Sequence, residues 1–191
     1  MGEPFKKIES GVNSVWITQP NEVENILKRR EVAFNVAKGK AADSGGKIET
    51  AMQTAEAFGR GLFEEFIKKE GREWTMQDWV NPVVKNIFNP MGTGATFTKI
   101  SDDEAKSFIF RYIQKENDID DPKFASLFNY GFLRGMILSA FPEGELIMQS
   151  SMVQGAQVDE FIFKANATDD DRAERERVKK SFTPQNIMMK N

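Results

Sequence analysis

The chain of 191 residues contains no histidine and no cysteine. Their absence excludes Ser-His-Asp and Cys-His nucleophilic catalysis, thiol redox chemistry, zinc held by Cys or His, and haem held by either residue. We therefore expect no metal and no cofactor. Any remaining chemistry would have to use carboxylates, Lys, Tyr, Ser, Thr or a bound ligand.

The chain also lacks a strong charge of either sign and any long hydrophobic run. Its net charge of −3 gives no overall attraction to phosphate backbones or anionic lipid, so no nucleic-acid partner is expected. No apolar run approaches the roughly 18 residues that a transmembrane segment needs. The first ten residues are polar and do not resemble a signal peptide. These features predict a soluble, cytoplasmic protein.

Charge and composition divide the sequence into three parts. Residues 1–47 have 8 basic and 6 acidic residues, whereas residues 48–165 have 12 basic and 18 acidic ones. The stretch Lys38–Lys47 contains three glycines and is typical of a loop. We predict a helical N-terminal extension over 1–47, a folded domain over 48–165 and a charged tail over 166–191. The tail is expected to be an exposed helix or disordered.

Hydrophobic periodicity predicts helices followed by β-hairpins. Apolar spacing and capping residues indicate the helices Pro20–Ala37, Ile48–Lys69, Thr75–Ile87 and Pro122–Ala140, with Pro82 kinking the third. Shorter segments of β character are Thr93–Ile100, Ala105–Ile113, Glu145–Ser150 and Val158–Lys164. The predicted fold class is α+β, with an antiparallel sheet of two hairpins packed against several helices.

Two glycines lie on the apolar stripe of the predicted helix Pro122–Ala140. Gly131 and Gly135 stand where an amphipathic helix usually carries bulky side chains. Each is less favourable than Ala by about 1 kcal/mol in a helix interior, so a compensating role is expected. Either another helix or the sheet packs closely against the helix, or a ligand contacts it. The first alternative is the more common one.

Phenylalanine is over-represented, with 16 residues in the chain, and 9 methionines add adaptable apolar bulk. These side chains can fill a core or line an apolar pocket, and composition does not separate the two. The excess as a set raises the expectation of a hydrophobic cavity.

Residues 55–165 resemble the 4-vinyl-reductase domain family, whose fold is shared with the vesicle-tethering TRAPP subunits. Three blocks carry the resemblance: Phe58–Glu65, the strand Gly92–Ile100, and Asn129–Gly135 followed by a hairpin that contains Gly155 and ends Phe161-Ile162-Phe163. The order and spacing of these blocks agree with the elements that periodicity predicts.

The resemblance implies an apolar small-molecule pocket between helices and sheet, dimerisation, and a sensory or carrier role. The candidate ligand-binding residues are Phe58, Leu62, Phe97, Phe128, Tyr130, Gly131 and Gly135. Many family members hold zinc through Glu and Cys residues. Here the corresponding positions fall near Phe128, Met148, Ser151 and Asp159, which argues against that metal site. Haem-binding relatives use a His that this chain lacks.

Three functional hypotheses follow. The first is a non-enzymatic, dimeric binding or sensory domain for a small apolar or aromatic ligand. The second is a TRAPP-like interaction scaffold in which Phe and Met side chains fill the core. The third is an enzyme on a hydrophobic substrate, with Tyr130 or Tyr112 as proton donor. The lack of His, of thiols and of an identifiable acid–base pair places the enzyme last.

Overall fold

A computed structural model describes residues 7–8, 11–13, 20–45, 48–68, 73–112 and 121–182. Its helices are α1 (Pro20–Asp43), α2 (Ile48–Phe66), α3 (Met76–Val83), α4 (Asn89–Met91), α5 (Pro122–Ala140), α6 (Asp169–Arg172) and α7 (Glu174–Phe182). Its strands are β1 (Lys7–Ile8), β2 (Gly11–Asn13), β3 (Gly94–Thr98), β4 (Glu104–Arg111), β5 (Glu145–Ser150) and β6 (Asp159–Lys164). The α+β class is confirmed.

The strands form one antiparallel sheet in the order β1-β2-β3-β4-β6-β5. The two predicted hairpins, β3–β4 and β5–β6, therefore lie side by side, joined where β4 pairs with β6. Ser107 of β4 stands opposite both Phe97 of β3 and Phe161 of β6. These three residues and their alternate neighbours point into the core, because successive side chains of a strand alternate between faces.

Capping residues fix several helix ends as predicted. The Thr75 side chain accepts a hydrogen bond from the backbone N–H of Asp78 and begins α3. Asp121 accepts from the N–H of Phe124 and begins α5, whose first residue is a proline. The sequence predicts a kink of α3 at Pro82. In the structure the α-helical segment ends one residue later, at Val83, and a π-helical turn, Val84–Phe88, continues the chain to α4.

The prediction of a loop over Lys38–Lys47 is wrong for residues 38–43. Helix α1 continues to Asp43, with Gly39 inside it. Ala37 and Ala41 explain the difference, since Ala37 is fully buried and Ala41 packs against the core one turn later. The glycine weakens the helix by only about 1 kcal/mol, which tertiary contacts readily offset. The predicted stop of α2 at Gly71 and the end of β4 at Ile113 lie outside the described residues.

The core includes residues from both predicted extensions. Ile26 and Phe34 of α1, and Val178 and Phe182 of α7, are buried in the same cluster as the central elements. The charged tail is largely helical from Asp169 to Phe182, and its large apolar side chains, Val178 and Phe182, are buried. Among the described residues, no helix is both long enough and apolar enough to cross a membrane.

Candidate functional site

Helices α2 and α5 approach each other through their glycines. A Cβ atom built on Gly135 would lie 2.0 Å from the carbonyl oxygen of Glu56, and one on Gly59 would lie 2.0 Å from that of Phe132. A Cβ on Gly131 would lie 2.9 Å from the Cβ of Ala55. Each glycine therefore faces the backbone or a small side chain of the opposite helix. Of the two predicted alternatives, close helix packing describes this interface.

An aromatic cluster extends the interface toward α1. The ring centroid of Phe128 lies 5.3 Å from that of Phe34 and 6.1 Å from that of Phe58, which is in turn 5.6 Å from Phe132. Phe34 and Phe128 are buried, and Phe58 is half-buried. Two of the predicted ligand-binding residues, Phe58 and Phe128, thus lie together, with aromatic side chains as neighbours.

A buried arginine sits over this cluster. The Arg30 guanidinium carbon lies 5.5 Å from the ring centroid of Phe128 and 5.8 Å from that of Phe34. Its Nη2 donates to Oδ1 of Asn129 at 3.0 Å. A cation above an aromatic face is attracted by the ring quadrupole, more strongly where water is excluded. In the sequence, Arg30 belongs to the run Lys28-Arg29-Arg30, which on its own is typical of a solvated helix face.

The other predicted site residues occupy different parts of the core. Phe97 lies on the sheet, with its ring centroid 5.8 Å from Phe88 and 5.6 Å from Phe163. Leu62 is fully buried on α2. The Tyr130 hydroxyl donates to the carbonyl of Leu146 at 3.1 Å, and burial followed by the nearby Glu145 carboxylate raises its pKa well above 10.

A network of charged side chains joins α2, α5, β5 and α7. Arg134 binds Glu145 through two hydrogen bonds of 2.6 and 2.9 Å, and its Nη1 contacts Glu56 at 3.0 Å. Arg175 bridges Glu56 at 3.1 Å and Glu49 at 2.6 Å. Bidentate arginine–carboxylate pairs combine strength with a fixed geometry.

The charged network shifts the pKa values of Glu49 and Arg134. The hydrogen bond from Arg175 is the main cause that lowers the pKa of Glu49 from 4.5 to about 2. Burial opposes the charge of Arg134, but the hydrogen bonds to Glu145 and the attraction of the Glu145 and Glu56 carboxylates together raise its pKa. Glu49 and Arg134 therefore stay ionised at neutral pH, and their ion pairs hold the helices and β5 together. The partners lie far apart in the sequence, so no local spacing pattern indicated the network.

The free edge of β5 is covered by side chains. The N–H and C=O of Met148 bond to Oε1 of Glu174 at 3.1 Å and to Nη2 of Arg177 at 2.9 Å. The N–H of Leu146 bonds to its neighbour Glu145, and its carbonyl accepts from Tyr130. An uncovered edge strand would be a template for pairing with another chain. Here four of its backbone groups already have partners.

A small half-open cleft lies beside this edge, between β5 and α7. It has a volume of about 90 Å³ and mixes polar and apolar walls, among them Met148, Gln154, Glu174, Arg177 and Val178. That volume holds a few water molecules rather than a large apolar ligand. None of the predicted ligand-binding residues belongs to its walls.

The positions compared with the family's zinc ligands are engaged in other contacts. Asp159 accepts a hydrogen bond from the backbone N–H of Met152 at 2.6 Å, and the hydroxyls of Ser126 and Ser151 lie 3.3 Å apart. In the part of the chain that the structure describes, no three acidic side chains come close enough together to hold a metal ion.

Comparison with protein-family models found no match, and comparisons with curated proteins and with solved structures found none either. The resemblance to the 4-vinyl-reductase family and to TRAPP subunits stays a prediction.

Proposed function

We propose that the protein is a non-enzymatic interaction scaffold that acts as a homodimer and fills its core with its own aromatic side chains. The observation that carries this proposal is the contact between α2 and α5. Where a ligand-binding domain would need open space beside Gly131 and Gly135, the opposite helix contributes its backbone and Ala55. A ligand of aromatic size would have to separate the two helices.

The aromatic contacts support the same conclusion. Phe58 and Phe128 pack on Phe34 and Phe132, and Phe97 packs on Phe88 and Phe163. Such ring pairs lie in the separation range at which aromatic contacts are favourable, between 4.5 and 7 Å in general. These rings therefore have aromatic packing partners within the chain and need no bound molecule to cover them.

Exposed apolar side chains supply surfaces through which a scaffold can bind. Val32 and Val36 lie one turn apart on α1 and are 58% and 44% exposed, and Phe110 on β4 is 53% exposed. The enzyme hypothesis has weaker support, since the Tyr130 hydroxyl is buried and donates to a backbone carbonyl. A proton donor needs access to a substrate.

Native mass spectrometry of freshly purified protein tests the proposal directly. The expected spectrum shows a dimer of twice the 21.7 kDa chain mass, with no additional small molecule. A stoichiometric apolar molecule released on activation would support the ligand-binding hypothesis instead. A monomer at micromolar concentration would remove the homodimer from the proposal.

A further inference from the structure

The two faces of the sheet differ in a way that points to a binding surface. Side chains on one face, such as Phe97, Ile109 and Phe161, are buried in the core. An antiparallel sheet covered on one side usually presents polar residues on the other. Here the opposite face, which we call the outer face, also carries four large apolar side chains: Phe108, Phe110, Ile147 and Ile162.

These four residues form a diagonal band across three strands. Ile162 of β6 stands opposite Ile147 of β5 on one side and Lys106 of β4 on the other. Phe108 pairs with Glu160, two residues from Ile162 on the same face, which is within reach of an aromatic side chain. Phe110 continues the band at the irregularity where β3 and β4 shift register.

The exposed ring of Phe110 lies against the neighbouring strand. It lies over Gly94 of β3, so close that a Cβ on that glycine would be 2.5 Å from the ring. Half-buried Phe108 has the ammonium of Lys106 4.9 Å from its ring centroid. Aromatic side chains are enriched at the centres of protein interfaces.

The charges of the outer face fit a second copy of the same chain. Lys106 forms an ion pair with Glu160 on this face, and Lys164 binds Asp171. The band is therefore flanked by paired charges of both signs, and two copies facing each other would not repel. In a two-fold dimer the same surface of each copy forms the interface. A surface whose charges are already paired can therefore face a second copy without repulsion.

The exposed valines of α1 fit a second copy less well. Val32 and Val36 stand between Lys28 and Lys40 at helical spacings of four residues, and both lysines are exposed. Self-association through this ridge would bring like charges together, which opposes pairing. Of the two apolar surfaces, the outer face is the one suited to a homodimer.

We propose that two copies of the chain associate face to face through the outer face of the sheet, with Phe108, Phe110, Ile147 and Ile162 at the centre. This inference rests on the homodimer of the proposed function and specifies its interface. Sheets that pack in this manner lie about 10 Å apart, with their facing side chains interdigitated.

Sedimentation equilibrium of the full chain, compared with two matched variants, tests the interface. Phe110→Lys places a charge at the centre of the band and is expected to raise the dimer dissociation constant at least tenfold. Val32→Lys changes an equally exposed residue on α1 and should leave the constant within twofold of the unaltered chain. Circular dichroism and thermal melting verify that both variants are folded. Ile147→Lys repeats the test on a different strand if Phe110→Lys does not fold.

Thiol labelling adds a second measurement, because the chain has no cysteine of its own. The label rate of a Thr98→Cys variant, on the outer face, should fall as protein concentration passes the dissociation constant, while that of Val32→Cys stays constant. A dimer that persists in Phe110→Lys and Ile147→Lys but is lost in Val32→Lys would overturn this interface and leave the proposed homodimer standing. A chain that is monomeric throughout would overturn both.

Discussion

Replacement of Gly135 by alanine is the sharpest test of how α2 and α5 pack. The new Cβ would lie 2.0 Å from the carbonyl oxygen of Glu56 and 2.8 Å from its carbonyl carbon. Because these are backbone atoms of a neighbouring helix, no side-chain rotation can relieve the clash. The two helices would have to move apart, which would also disturb the reciprocal contact of Gly59 with the Phe132 carbonyl.

The magnitude follows from two opposing effects. Alanine is favoured over glycine by about 1 kcal/mol inside a helix. Overpacking a close contact typically costs about 1–3 kcal/mol. The cost at Gly135 should be near the upper end of this range, because the clash can be relieved only by movement of the backbone. The expected net loss is about 2 kcal/mol, which lowers the melting temperature of a chain of this size by about 4–8 °C. Gly135→Leu should destabilise the protein further.

Gly61 provides a matched control on α2. A Cβ on this residue meets nothing within 4 Å among the described residues, so only the helix preference acts. Gly61→Ala should therefore raise the melting temperature, by about 2–4 °C at most. Differential scanning calorimetry of the two variants would show shifts of opposite sign. If Gly135→Ala also melted higher than the unaltered chain, the close packing described for α2 and α5 would be wrong.

Three further predictions concern the charged network and the edge of β5. Arg134→Met should lower the free energy of unfolding in urea by about 3–5 kcal/mol, since it leaves the nearly inaccessible Glu145 carboxylate without its partner; adding Glu145→Gln should recover part of this loss, and no recovery would contradict the reasoning. The carboxyl of Glu49 has a lower pKa in the folded chain, about 2, than its ordinary value of 4.5, so its contribution to stability is present above pH 4.5 and is lost as the pH falls toward 2. A Glu49→Gln variant should accordingly show a smaller loss of stability over that range in acid titrations, and an unchanged titration would refute the role of its ion pairs. Glu174→Ala should lower the free energy of unfolding by about 1–3 kcal/mol and speed amide exchange at Met148, whose N–H loses its acceptor; unchanged exchange would show that this bond does not protect the strand edge.

Local physical chemistry determined much of the secondary structure. The boundaries of α5 and β5 agree with the prediction, and Asp121 and Pro122 give α5 a strong local start. Likewise Thr75 caps α3 through its own side chain, so that start depends on residues three positions apart. Signals of this range are present in the unfolded chain and do not depend on distant partners.

Where local signals were weak, tertiary contacts decided the outcome. The glycines near Lys38 predicted a loop, yet α1 extends to Asp43 because Ala37 and Ala41 bury one side of its last turns. Propensity differs by only about 1 kcal/mol per residue, and burial of apolar surface overrides it.

The candidate functional site was likewise predicted in part from the sequence and in part visible only in the folded chain. The sequence alone marked Gly131 and Gly135 as positions of close approach, because glycine on an apolar helix stripe needs compensation. The identity of the approaching group, the backbone of α2 around Glu56, emerged only from the folded chain. Hydrophobic periodicity specifies which face of a helix is buried, but it does not specify which element covers that face.

The Arg134 network depended on the tertiary structure entirely. Glu56 precedes Arg134 by 78 residues, and Arg175 lies 119 residues after Glu56. Each side chain by itself is an ordinary charged residue of a helix or strand. Only the packing of α5 against α2 and β5, and of α7 against α2, brings these charges within hydrogen-bond distance, and the sequence carries no local pattern that records such long-range contacts.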